Sequence, residues 1–387
     1  MSRIVLTIHN VHTWGKPQLT RSGDVNILED VANNIQKRKI NSYQTINEVV
    51  YAAITEDNIR QLEKLYPSLT FTHFSEFRFE DEDTLIIPMI DARGQELEFA
   101  NELKEFYRFI SKKKHVLMNI CRQDDYYDNL IQSQGDQYLG DLIKRVILTS
   151  QSYMTHHSSN SLPLDNNLNI HQIAHPQNQL LSFEFSNNVS QNDKDENKTI
   201  VFNRPSSMKG FPLWLKDMMS DKETASKSAY VGNISGLSQI KKIKEQFYEK
   251  YGKEFNDAIQ LFESIDDYSN KEHYQNSPKV INSGYQKEEI KELASNFGSF
   301  IVSSDYNYIS GDYVMIEYAM LEALQYGLRL YWCESSIQSM KDNHKFNAAK
   351  DAIHFNHMTY NEQIKYFSEA FSPDLFVDQI IKASKEV

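Results

Sequence analysis

The feature that most restricts the fold is an alternation of short apolar runs with amphipathic helical stretches, and the chain carries it twice. The first series opens with RIVLTIH (Arg3–His9), an apolar, β-branched run that suits a strand buried on both faces. A loop punctuated by Gly15, Pro17 and Gly23 follows, and NILEDVANNIQKR then sets Ile27, Leu28, Val31 and Ile35 at helical spacing. TLIIPMI (Thr84–Ile90), HVLMNI (His115–Ile120) and RVILTS (Arg145–Ser150) continue the strands, with LEFANELKEFYRFISKKK as a helix between the first two. NNVSQNDKDENK (Asn187–Lys198) has no apolar anchor and reads as a domain linker or a surface loop. The alternation then restarts. TIVFN, SAYVGNISG (Ser228–Gly236), KVINSG (Lys279–Gly284), SFIVSS (Ser299–Ser304) and LRLYW read as strands. QKEEIKELASNF and MIEYAMLEALQYG read as helices between them, and PDLFVDQIIKASKEV as a closing amphipathic helix.

Strands separated by helices imply parallel sheets covered on both faces. With 387 residues the chain suits two domains. The expected fold class is therefore α/β, with two Rossmann-like domains at 1–190 and 199–387 facing each other across a deep cleft. The last helix is expected to pack back on the first domain. The loop after Arg3–His9 lacks GxGxxG, which argues against NAD. Two cysteines, Cys121 and Cys333, exclude a cysteine zinc site and make a disulfide framework implausible. The start reads as a strand rather than a signal peptide, and no run approaches a membrane span, so a cytoplasmic protein without membrane contact is expected. A formal net charge of −12 argues against coating nucleic acid by electrostatics alone, though not against a local basic patch.

FNRPSSMKGFPLW (Phe202–Trp214) brings Arg204 and Lys209 to the end of a strand with small residues between them. A phosphate wants donors, positive charge and no bulk: Arg204 offers a forked guanidinium and Lys209 a point charge. Ser206 and Ser207 add hydroxyls and a possible cap for the helix that follows. Two solvated basic residues beside an ordinary cap is the plain alternative. In GDYVMIEYAMLEALQYG, Glu317 and Glu322 stand in an otherwise apolar helix. Five residues turn a regular helix by about 140°, so the two share a ligand only if Glu317 sits at the helix start, where the dipole suits its charge. The alternative is a helix-start residue and an exposed one.

These stretches, in this order, resemble the retaining DNA α-glucosyltransferases of T-even phages, a family of GT-B fold. Arg204-Pro-Ser-Ser-Met-Lys209-Gly-Phe is similar to that family's Arg, hydroxyl pair, Lys-Gly-Phe segment. Glu317-Tyr-Ala-Met-Leu-Glu322 matches its Glu-Tyr-x-x-Leu-Glu segment. The resemblance is clearest from Asn203 to Trp332. It implies a nucleotide-diphosphate sugar, UDP-linked, held by the C-terminal domain. Arg204 and Lys209 would stabilise the leaving diphosphate without a metal or other cofactor. Glu322 would accept from ribose hydroxyls, and Glu317 would lie by the donor sugar. Gly15, Gly23, Gly232 and Tyr285 complete the implied donor contacts. The family carries an acidic acceptor-side loop where this chain has RQDDYYDNL (Arg122–Leu130). Asp124 is the first choice to orient or deprotonate the acceptor; the family's histidine-flanked aspartate is replaced here by RQDDYYD, so Asp125 and Asp128 compete for the role. An acidic surface loop is the alternative. The implied course has the acceptor attack the face the diphosphate leaves, with retention.

The implied acceptor is a hydroxymethylated or already glycosylated pyrimidine, such as hydroxymethylcytosine, in phage DNA, exposed or flipped out for reaction. A GT-B glycosyltransferase for a polysaccharide, lipid-linked sugar or small molecule is the second reading, and a nucleotide-sugar-binding protein without transfer activity the third. Other residues take plainer readings. His156 and His157 lie in a polar stretch and read as loop histidines. His9 and His12 flank the first loop. SKKKH (Ser111–His115) reads as a solvated helix end, or with Lys16 and Arg21 as a DNA-facing patch. Tyr126 and Tyr127 offer stacking surface.

Overall fold

The computed structural model describes residues 3–9, 23–37, 47–87, 100–113, 115–119, 142, 151–156, 170–174, 194–195, 197–203, 205–207, 209–233, 259–273, 277–283, 287–308, 312, 314, 316–370 and 378. The chain divides into two compact units, Met1–Gln179 with Ala370–Val387, and Leu180–Glu369.

In the first unit the described elements are β1 (Ile4–Ile8), α1 (Gly23–Lys37), β2 (Glu48–Tyr51), α2 (Glu56–Leu65), β3 (Thr70–His73), β4 (Thr84–Ile87), α3 (Ala100–Ile110), β5 (His115–Asn119), β6 (Gln151–His156) and β7 (Ile170–Ala174). They build a seven-stranded sheet of order β3-β2-β1-β4-β5-β6-β7, parallel at every pairing. The apolar run of β1 is buried throughout, as a central strand covered on both faces requires. Val25, Leu28, Val31 and Ile35 of α1 are buried at the 3–4 residue spacing of one helix face. At the amino end, Arg3 forks onto Asp83 (Nε–Oδ1 2.9 Å, NH2–Oδ2 2.8 Å) and so ties the starts of the neighbouring strands β1 and β4.

In the second unit the described elements are β8 (Thr199–Phe202), α4 (Phe211–Ser220), α5 (Lys222–Ser226), β9 (Ser228–Gly232), β10 (Gln260–Phe262), α6 (Ile265–Asn270), β11 (Lys279–Asn282), α7 (Lys287–Ala294), β12 (Ser299–Val302), α8 (Tyr318–Gln325), β13 (Arg329–Trp332), α9 (Glu334–Asp342), α10 (Phe346–His357) and α11 (Tyr360–Ala370). Six parallel strands run in the order β10-β11-β9-β8-β12-β13. Phe202 of β8 meets Phe300 of β12 edge to face, centroids 4.8 Å apart. Phe211 and Trp214 of α4 pack on Tyr230 of β9 at 4.8 and 5.1 Å. The polar stretch expected as a linker belongs to this unit. Its Lys194 is half-buried and donates to the carbonyl of Tyr326, and burial pushes its amine down to about 8.

The strand read at Arg145–Ser150 lies outside the described residues, and β6 occupies the six residues that follow. His156, read as a loop histidine, is the last residue of β6, paired with Ala174 of β7. The sequence QSYMTH is largely polar, which hides a strand from a reading built on apolar runs. The serines read as a helix cap do not fill that role. The cap of α4 is Gly210, in a left-handed conformation, and the Ser206 hydroxyl takes the amide of Lys209 instead.

Candidate functional site

In an open parallel sheet, ligands bind outside the carboxyl ends of the strands where the strand order reverses. In the second unit the chain leaves β8 toward β9 on one side, and β12 returns on the other. The reversal therefore falls at the carboxyl ends of β8 and β12, whose next residues are Asn203 and Ser303–Ser304.

The loop after β8 is folded onto the end of β12. The amides of Gly210 and Phe211 donate to the carbonyls of Ser207 (2.9 Å) and Ser206 (3.2 Å), closing a tight turn. The Ser303 hydroxyl donates to the Lys209 carbonyl at 3.2 Å. Gly210 has φ +70°, and a Cβ there would stand 1.3 Å from the Ser303 carbonyl oxygen. Only glycine fits both the left-handed backbone and that approach. The turn leaves Lys209 immediately before the amino end of α4, where the helix dipole also favours an anion.

Glu317 reaches the same point from α8. It is the residue before that helix, with extended backbone (φ −102°, ψ 157°), and its side chain makes no cap to the helix amides. Its carboxylate turns instead to the carboxyl ends of the two strands. Oε2 receives Lys209 Nζ at 2.6 Å and Asn203 Nδ2 at 3.0 Å, and Oε1 receives the Ser304 hydroxyl at 3.3 Å. The Glu317 side chain is only 8% exposed, the Lys209 side chain 33%. Burial by itself would raise the Glu317 carboxyl. The Lys209 ammonium and the hydrogen bonds from Lys209, Asn203 and Ser304 outweigh it and hold the group below its ordinary range.

Of the residues singled out in the sequence, the structure thus brings Lys209 and Glu317 into direct contact. Gly232 ends β9 on the same side of the sheet, where the Val231 carbonyl accepts from Asn203 N at 3.0 Å and that of Gly232 from Ser283 N at 3.0 Å. Glu322 is half-buried within α8. In the first unit Gly23 is the first residue of α1. His9 is buried just past β1, its ring 6.2 Å from that of Tyr107. Asp124, Asp125, Asp128, Arg204, Gly15, Tyr285, His12, Lys16, Arg21, Tyr126, Tyr127, His157 and Cys121 lie outside the described residues. Asn203 and Ser304 were not singled out, although each is among the first polar residues after an apolar strand run. Among the described residues, no group of three or more His, Cys, Asp or Glu is arranged to hold a metal ion, and no helix is long and apolar enough to cross a membrane.

No protein-family pattern and no curated protein matches the chain. Solved structures do. An alpha-glucosyltransferase in complex with UDP and a 13-mer DNA containing a central A:G mismatch matches over 99% of both chains, at 14% identity and TM-score 0.63. An alpha-glucosyltransferase (AGT) in complex with UDP matches over 99% of this chain and 100% of its own, at 13% identity and TM-score 0.64. Anabaena Alr3699/HepE in complex with UDP and glucose matches over 100% of both chains, at 10% identity and TM-score 0.53. At such identities the likeness is one of fold: two units, each with a parallel α/β sheet, as in GT-B proteins.

Proposed function

We propose that this chain is a retaining, metal-independent glycosyltransferase that moves a sugar from a UDP-type donor to a hydroxymethylated pyrimidine in DNA. The observation that carries the reading is the meeting of Lys209, Asn203, Ser304 and Glu317 at the carboxyl ends of β8 and β12. A cation there, held by a carboxylate and followed at once by a helix amino end, suits charge that develops on a departing diphosphate. Arg204, next to Asn203 in sequence, shares that task in this reading, Glu322 accepts from the ribose hydroxyls, and Asp124 orients the acceptor hydroxyl. Solved structures of the same fold carry UDP, UDP-glucose and DNA, which favours this donor and acceptor over others.

The test is mass spectrometry of DNA incubated with the protein and a panel of UDP-sugars, using DNA with hydroxymethylcytosine, hydroxymethyluracil or unmodified bases. One sugar mass on a hydroxymethylated base is the expected result, and Lys209→Ala should slow that transfer ~10²-fold, as loss of a charge-stabilising group does. Because the chain is acidic overall, with net charge −12, its grip on DNA has to be local, and activity should fall steeply with added salt. Release of UDP with oligosaccharide acceptors but no mass gain on any DNA would overturn the DNA acceptor and leave the donor standing.

A further inference from the structure

Lys209 already has an anionic partner. Its ammonium lies 2.6 Å from a carboxylate in the place where the proposed diphosphate needs a cation. The two partners are not equally fixed. Glu317 is 8% exposed and keeps Asn203 on one oxygen and Ser304 on the other even without the lysine. Lys209 is 33% exposed, on a flexible four-carbon stem. The lysine is therefore the part that moves and the glutamate the part that stays. Two anions, a buried carboxylate and a diphosphate, crowded around one ammonium repel each other strongly where water is scarce.

We infer that Glu317 is an internal competitor for Lys209. The diphosphate draws the ammonium off the carboxylate as it binds, and the carboxylate takes it back as the nucleoside diphosphate leaves. Glu317 thereby weakens binding of the product and hastens its release, a role separate from contact with the donor sugar. This rests on reading the site as a diphosphate site, and the variants below separate the two claims.

Calorimetric titration with UDP tests it. Lys209→Ala should weaken UDP binding, which is the claim of the underlying reading. Glu317→Gln, which keeps the shape and removes the charge, should bind UDP about tenfold more tightly than wild type, the scale expected for relief of one close like-charge contact. Uridine, which has no phosphates, should bind both proteins equally. Loss of UDP binding in Lys209→Ala, with equal or weaker binding in Glu317→Gln, overturns the competition and leaves the diphosphate site intact. Unchanged binding in Lys209→Ala overturns both. A second measurement needs no variant. In wild-type protein with ¹³C-labelled glutamate carboxyls, saturating UDP should move the Glu317 titration midpoint upward, because the carboxylate loses its ammonium and gains an anionic neighbour. An unmoved midpoint contradicts the inference.

Discussion

At Gly210 the backbone takes φ +70° and passes so close to β12 that a Cβ would meet the Ser303 carbonyl oxygen at 1.3 Å. Gly210→Ala therefore imposes a strained backbone and a clash with main chain that has no room to yield. Urea denaturation should show a loss of about 2 kcal/mol or more, with UDP binding impaired because Lys209 is displaced. A variant as stable as wild type would mean that the turn relaxes freely. Glu317 gives a second residue-scale expectation. Its carboxyl is held below its ordinary value in the fold, so its stabilising contribution is present above that ordinary value and is lost as pH falls through the depressed one. Glu317→Gln should flatten the acid limb of the stability curve, and an unchanged limb would contradict the arrangement. Glu317 is legible in the sequence because its charge stands out between apolar neighbours, and Lys209 because it follows Arg204 across small residues at a strand end. Their contact with each other is not, because it depends on how the β8 loop folds onto β12, and that is decided by the Gly210–Ser303 approach.

Among the elements, the edge strand β13 shows how the second sheet is closed. Leu330 donates to Gln363 Oε1 at 2.7 Å, and Gln363 Nε2 returns a bond to the Leu330 carbonyl at 2.9 Å. Trp332 makes the same exchange with Asn356, at 2.8 and 2.9 Å. Two side-chain amides, from α11 and α10, thus take the place of a further strand and hide an edge that would otherwise invite pairing. Gln363 is fully buried. Gln363→Ala should cost about 2–3 kcal/mol by leaving buried main-chain groups unpaired, and should promote concentration-dependent association. Equal stability and a monodisperse protein would show that the amide is dispensable. Ile4–Ile8, Thr199–Phe202, Ser299–Val302 and Arg329–Trp332, each built on a run of three apolar residues, all stand where periodicity set them. The sequence reading missed Glu48–Tyr51, whose apolar run is short, Thr70–His73 and Ile170–Ala174, where Thr, His and Gln interrupt the run, and Gln260–Phe262, which is only three residues long.

For the whole molecule, repetition of the strand–helix pattern foretold two parallel α/β sheets, and among the described residues there are seven strands in one and six in the other. Strand order was not in the pattern. Local sequence gives the identity of an element, while order comes from which faces bury best against which, and only order puts the reversal at β8 and β12 and so assembles residues distant along the chain into one site. In the proposed function Lys209, at that reversal, holds the diphosphate of a nucleotide donor. The most direct measurement is the UDP affinity of Lys209→Ala against wild type, by calorimetry at low salt. A loss of at least tenfold is expected, with the fold intact by circular dichroism, as for removal of a charged partner. Wild-type affinity in that variant would contradict that role.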